Sequence, residues 1–220
     1  MTAILPSQMG TVFIVDDDAS FLQSVSRLLS AVGYTVRAFE SAQAFLDRLT
    51  PEMSGCVMAD LQMPGMNGLE LQEALKRSAN PLPVVFLTGQ GDIPTTVSAM
   101  RSGAEDFLTK RASKEEILAA VERASGRDVQ ERQQRERLRL LQHRFGALSK
   151  RELEVLERVV QGRMNKQIAA DLNINERTVK LHRTNLTRKL GVQSVAELTR
   201  LADEAGLFKT PAVNPNHQSD

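Results

Sequence analysis

A single cysteine, Cys56, stands among the 220 residues, which excludes an internal disulfide framework. Its setting, Cys56-Val57-Met58-Ala59, is that of a buried strand residue rather than a reactive thiol. No apolar run approaches the roughly 18 residues needed to span a bilayer, and the first residues lack the charged, apolar and small-residue succession of a secretory leader. A cytoplasmic protein with no membrane association is expected. Net charge is also scarce, +1 overall, but the balance hides an asymmetry. Met1–Ala124 carries 10 Lys/Arg against 15 Asp/Glu, whereas Ser125–Asp220 carries 18 against 12. The second half is therefore the one suited to a polyanion.

With 41% hydrophobic and 25% charged residues, the chain has the composition of a globular protein able to bury real cores, and its length suits two small domains. The first half alternates short apolar runs with amphipathic segments. The runs are Thr11–Val15, Thr35–Phe39, Cys56–Ala59, Pro83–Thr88 and Asp106–Leu108; helices are predicted over Ser41–Leu49, Asn67–Ala79, Ile93–Ser102 and Ser113–Ala124. Between the first two runs, Phe21, Val25, Leu28, Leu29 and Val32 recur at helical spacing and Gly33 supplies a stop. This alternation predicts an α/β doubly wound, five-stranded parallel sheet over residues 8–124.

Gly126–Arg144 is rich in Arg, Gln and Glu and reads as an exposed helical linker, 125–146. From residue 147 to 208 only helical patterns remain, over Lys150–Val160, Asn165–Leu172, Glu176–Leu190 and Val195–Ala205. These predict an all-α helix-turn-helix domain. Lys209–Asp220, poor in apolar residues, is expected to be a disordered tail.

In a doubly wound sheet, ligands bind outside the carboxyl ends of the strands. Asp16, Asp17 and Asp18 follow the first run, Asp60 follows the third, Thr88 ends the fourth and Lys110 follows the fifth. Clustered carboxylates repel unless a proton or cation neutralises them, and an oxygen-only set suits Mg²⁺. A cation, a lysine and a hydroxyl around a nucleophilic carboxylate would hold a phosphoryl group. The plainer alternative makes Asp16–Asp18 a helix cap and Thr88 and Lys110 solvated strand ends.

Val15-Asp16-Asp17-Asp18, Asp60-Leu61-Gln62-Met63-Pro64-Gly65-Met66-Asn67-Gly68, Thr88-Gly89 and Lys110 match, in order and spacing, the pattern of receiver domains, and the chain resembles the FixJ-type branch of response regulators. Gly89-Gln90-Gly91-Asp92 is similar to a loop of that branch. The resemblance implies that Asp60 accepts phosphate from a histidine kinase. It further implies that Asp16, Asp17, Asp60 and the Gln62 backbone carbonyl surround Mg²⁺, that Thr88 and Lys110 contact the phosphoryl oxygens, and that Phe107 is an aromatic switch. An ordinary core phenylalanine is the alternative for Phe107. Where the family has proline after the lysine, often in cis, this chain has Arg111. A cis bond before a non-proline residue costs about 2.5 to 4 kcal/mol, so a trans loop that places Lys110 differently is expected.

Asn165–Leu172 and Glu176–Leu190, separated by Asn173-Ile174-Asn175, read as a helix-turn-helix pair. At about 100° per residue, Val179, Leu186 and Leu190 share the buried stripe of the second helix. Arg177, Lys180, Leu181, Thr184 and Arg188 lie opposite, a mixture of cations, a hydroxyl and an apolar group that fits a major groove as well as a solvated face. Leu148-Ser149-Lys150-Arg151-Glu152, Asn165-Lys166-Gln167-Ile168-Ala169 and Thr178-Val179-Lys180-Leu181-His182 resemble the LuxR/NarL-type domain. That implies phosphate contacts from Lys166 and Thr178 and base contacts from Lys180, Leu181 and Thr184. His182 and Arg183 are left without a role.

Together these features point to a transcriptional response regulator that is not an enzyme. Its expected partners are double-stranded DNA, a histidine kinase and RNA polymerase, with phosphorylation acting through a homodimer or through release of interdomain inhibition. Two rivals stay open: a Mg²⁺-dependent phosphohydrolase, for which no further general acid or base stands out, and a constitutive DNA-binding protein whose first half is only a scaffold.

Overall fold

A computed structural model describes residues 9–89, 97 and 99–207. The chain divides into two compact units, Met1–Arg132 and Gln133–Asp220. In the first, β1 (Thr11–Val15), β2 (Thr35–Phe39), β3 (Cys56–Asp60), β4 (Val84–Thr88) and β5 (Asp106–Thr109) form one parallel sheet in the order β2-β1-β3-β4-β5. They alternate with α1 (Ala19–Val32), α2 (Ala42–Leu46), α3 (Gly68–Arg77) and α4 (Lys114–Gly146). The doubly wound parallel sheet expected from the alternation is thus present. Of the helix expected over Ile93–Ser102, residues 97 and 99–101 are described and helical, and residues 93–96 and 98 lie outside the described residues, as do Gln90, Gly91 and Asp92 and the segment Lys209–Asp220.

Side chains alternate across each strand, and the sheet separates two cores. Val12, Ile14, Cys56, Met58, Val85 and Leu87 pack with α1 and α4; Phe13, Val15, Val57, Ala59, Val84 and Phe86 pack with α2 and α3. Phe45 and Phe86 are fully buried, each burial stabilising the fold by about 1.5 to 3 kcal/mol. Cys56 is buried, and burial pushes its thiol up to about 12, consistent with an inert core residue. The buried stripe of α1 is Leu22, Val25 and Leu29. Phe21, Leu28 and Val32 are only half-buried, because the stripe is centred one residue further along than the periodicity suggested.

Caps set the helix limits. Asp18 caps α1 by accepting from the Ser20 and Phe21 N–H groups, and Gly33 closes it with a left-handed φ of 108°. Asn67 and Glu70 form a reciprocal capping box at the start of α3. Gly68 follows Asn67 for a steric reason: a Cβ there would lie 2.5 Å from the Asp60 carbonyl and 2.9 Å from the Phe86 ring.

Two expectations about the linker need correction. The helix predicted to end at Ala124 instead runs unbroken from Lys114 to Gly146, although an interior glycine costs about 1 kcal/mol relative to alanine. Burial near Gly126 offsets that cost: Val121 and Ala124 enter the core, and the Asp128 carboxylate, also buried, accepts the Gly55 N–H at 2.8 Å. Nor is the segment uniformly exposed, since Leu141 and Phe145 are buried in the core of the second unit.

That unit contains α5 (Lys150–Val160), α6 (Asn165–Leu172), α7 (Glu176–Leu190) and α8 (Val195–Glu204), with no strand among its described residues. Leu156, Ile168, Val179, Leu186 and Leu198 form the centre of its core. Glu152, buried in the first turn of α5, closes a capping box with Ser149 and accepts from Lys189 Nζ at 2.7 Å, tying α7 to α5. Burial opposes ionisation of Glu152, but the Lys189 and Ser149 hydrogen bonds outweigh it and hold the carboxyl below the usual range.

Candidate functional site

The strand order changes direction between β1 and β3, a switch point at whose carboxyl ends a crevice opens. Asp16 follows β1 there and Asp60 ends β3. Of the three consecutive aspartates only Asp18 is a helix cap; Asp16 is 1% exposed and accepts the Asp18 N–H at 2.9 Å. Asp17 is exposed. Carboxylate oxygens of Asp16, Asp17 and Asp60 all lie within 4.8 Å of one another.

Lys110, one residue past β5, reaches this group with its side chain. Its Nζ donates to Asp16 Oδ1 at 2.9 Å and to Asp60 Oδ2 at 3.0 Å, and it lies 4.8 Å from the centroid of the Phe21 ring. No cis peptide occurs among the described residues, so the bond into Arg111 is trans as expected. In this trans backbone Lys110 Nζ meets both carboxylates. The backbone explains its anchoring: Lys110 N–H donates to the Thr88 carbonyl at 2.8 Å, and Ala112 N–H to the Thr109 carbonyl at 2.9 Å.

Burial pushes the Asp16 carboxyl above the ordinary aspartate range despite the lysine beside it. Burial pulls the Lys110 ammonium down, but its bonds to Asp16 and Asp60 outweigh that and leave it above the ordinary lysine range. One lysine facing three carboxylates leaves the cluster short of positive charge. Asp16 Oδ2 lies 2.8 Å from Lys110 Nζ, yet it accepts no hydrogen bond of acceptable geometry. A buried carboxylate oxygen that makes no hydrogen bond, in an oxygen-only group with one lysine for three carboxylates, fits a hard divalent cation. Among the described residues, Asp16, Asp17 and Asp60 are the group that could hold a metal.

The other expected members lie around this group. Thr88 is buried at the end of β4, and its carbonyl links it to the Lys110 main chain. Gln62 is exposed and its N–H points to Asp60 Oδ1 at 3.4 Å. Phe107, on β5, is only half-buried, with its ring 6.3 Å from that of Phe86. An open cleft of about 570 Å³ beside Asp17 is lined also by Gln62 and Asn67, leaving room for a reacting group. Sequence reading missed Phe21 as a neighbour of Lys110, since its helical spacing marked it only as core.

In the second unit, α6 and α7 are joined by a turn whose Asn173 has a left-handed φ of 51°, the one non-glycine residue of positive φ among those described. Asparagine tolerates that conformation and Asn175 then caps α7, accepting from Thr178 N–H and Oγ at 2.8 and 2.9 Å. The stripe of Val179, Leu186 and Leu190 is buried as expected, while Arg177, Lys180, Leu181, Thr184 and Arg188 are exposed, Leu181 by 59%. Lys166, on α6, is exposed as well. Arg183, without a role on sequence grounds, donates to Asn165 Oδ1 at 2.7 Å and clamps α7 to the start of α6.

Comparison with known proteins matches residues 12–122 to the response regulator receiver domain and residues 146–202 to the bacterial regulatory proteins of the luxR family. The chain is 39% identical to the response regulator protein TodT of Pseudomonas putida, over 90% of this chain and 88% of TodT. It is 37% identical to the transcriptional regulatory protein FixJ of Bradyrhizobium diazoefficiens, over 90% and 97%. Among solved structures, the response regulator StyR is similar with a TM-score of 0.78 at 44% identity, covering 88% of this chain and 98% of StyR. Full-length FixJ from B. japonicum is similar with a TM-score of 0.56 at 36% identity, covering 92% and 100%.

Proposed function

Because the chain belongs to the response regulators that join a receiver domain to a LuxR-type DNA-binding domain in two-component systems, we propose that Asp60 is its phosphoacceptor and that phosphorylation there controls DNA binding by α7. A histidine kinase and double-stranded DNA are the partners that membership implies. The observation that carries the assignment is the hydrogen bonding of Lys110 to both Asp16 and Asp60 at the strand ends.

In the proposed transfer a carboxylate oxygen of Asp60 attacks the phosphorus of a phosphohistidine. The new O–P bond forms as the P–N bond breaks, and the imidazole nitrogen keeps the electron pair and takes a proton from water. Lys110 offsets charge on the transferring oxygens, with Thr88 beside them at the end of β4. Asp16, Asp17, Asp60 and the Gln62 carbonyl are the proposed ligands of Mg²⁺, which would offset the charge of carboxylates and phosphoryl group together. A small acyl phosphate should label the wild-type protein, and Asp60→Asn should stay unlabelled; equal labelling would put the acceptor elsewhere.

Downstream, Lys166 and Thr178 would hold DNA phosphates while Arg177, Lys180, Leu181, Thr184 and Arg188 present the groove-facing surface. Phosphate can shift the protein only by stabilising one state more than another; rearrangement of Thr88 and Phe107 is the proposed change, favouring a homodimer. The boundaries consistent with this reading are a receiver over 8–124, a linker over 125–146 and a DNA-binding domain over 147–208. The reading also places the protein in the cytoplasm, with RNA polymerase as a further partner.

A further inference from the structure

We infer that Phe21 is a positioning residue for the phosphoryl-transfer site: the face of its ring holds the Lys110 ammonium in place over Asp16 and Asp60. The contact is 4.8 Å from Nζ to the ring centroid, inside the distance at which an aromatic quadrupole attracts a cation.

Three features make this more than a neighbouring core residue. Phe21 is only half-buried and sits in the first turn of α1, where the Asp18 carboxylate accepts its N–H at 3.1 Å. The aspartate following the two proposed metal ligands thereby sets the ring beside the site. Second, lysine is a point charge on a flexible four-carbon stem, and the position after it holds Arg111 in a trans peptide rather than a ring-constrained proline. A contact beyond the carboxylates is then available to restrain the side chain. Third, an aromatic face attracts the ammonium without neutralising it. Of its three N–H donors, one goes to Asp16 and one to Asp60, so the ring leaves charge and donor capacity for a phosphoryl oxygen. A carboxylate in the same place would compete with that oxygen.

Only the kinetic part of this inference rests on the reading of Asp60 as acceptor. The test compares wild type with Phe21→Leu, which keeps apolar bulk but removes the quadrupole, and Phe21→Tyr, which restores a ring. In metal-free protein, the ring should shift the Lys110 side-chain methylene resonances, assigned against Lys110→Arg. The displacement is expected to disappear in Phe21→Leu and to survive in Phe21→Tyr. With Mg²⁺ and a small acyl phosphate, Phe21→Leu should be labelled about two- to fivefold more slowly, the factor expected of a partly exposed cation–π contact, and Phe21→Tyr at close to the wild-type rate. Unchanged Lys110 resonances in Phe21→Leu, undiminished labelling, or equal slowing in both variants would overturn the assignment. If the wild type takes up no phosphate at Asp60, the acceptor reading fails, while the resonances still decide whether Phe21 holds Lys110.

Discussion

Lys110 Nζ lies 3.0 Å from Asp60 Oδ2 although their strands are not neighbours. β4 stands between β3 and β5, so the lysine reaches across the end of an intervening strand, a separation of two strand spacings or about 10 Å between backbones. The ammonium thus meets two buried carboxylates from a distance that only a long side chain covers. The site is an electrostatic arrangement assembled by topology rather than by local sequence.

Replacing Lys110 with Met should therefore destabilise the first unit in a pH-dependent way. At neutral pH the change leaves buried carboxylates without their cation, a loss of about 3 kcal/mol for a buried pair. Asp16 already has a raised pKa, so its protonated form favours the folded state; that contribution is complete below the ordinary aspartate range and fades as pH rises through the folded value. Without Lys110 the folded value should rise further. The stability difference between wild type and Lys110→Met, measured by urea denaturation, should shrink between pH 7 and pH 4. A difference independent of pH would show that the pair contributes little.

Metal should stabilise the wild type. A cation bound only by the folded state, at about a hundredfold over its dissociation constant, adds about 2.7 kcal/mol. Asp17 makes no ion pair with Lys110, so Asp17→Asn should fold normally and lose most of the Mg²⁺-dependent rise in melting temperature. Equal rises in both proteins would remove Asp17 from the ligand set.

The parts of this molecule legible in its sequence are those governed by short-range pattern. Continuous apolar runs mark β3 and β4, and the asparagines around Ile174 mark the turn before α7. The acidic residues fall at strand ends because strand limits can be read from the same runs. Long-range placement was less accessible. Residue type alone does not separate Asp18, which caps α1, from Asp16, which meets Lys110, because aspartate suits both positions. Arg183 and Asn165 lie 18 positions apart, and nothing local announces their bond. Gly126 suggests a helix end, since propensity says nothing of the buried Asp128–Gly55 bond that helps to carry α4 through it.

That last point is open to measurement. A Cβ at Gly126 would meet nothing within 4 Å, so Gly126→Ala should stabilise the protein by about 0.5 to 1 kcal/mol through helix propensity and reduced freedom of the unfolded chain. Calorimetry showing a loss of stability instead would indicate a break in α4 at this position.

On the DNA side, Lys166→Ala should weaken binding to specific and random duplexes alike and lower the salt dependence, as for a phosphate contact. Lys180→Ala should chiefly relax sequence preference, by about 1 to 3 kcal/mol for a good base contact. Fluorescence anisotropy over a salt series distinguishes the two, and identical losses on both kinds of DNA for both variants would contradict this division.

The most direct test of the whole account is the affinity for DNA selected from a random-sequence pool, measured with and without a small acyl phosphate for wild type and Asp60→Asn, alongside sedimentation mass. Phosphorylation that joins two DNA-binding domains makes the second contact intramolecular, so wild-type affinity for a paired site should rise by roughly 10² to 10⁴ with a doubling of mass, and Asp60→Asn should show neither change. Equal affinity for the wild type in both conditions, or an equal gain in Asp60→Asn, would contradict control of DNA binding through Asp60.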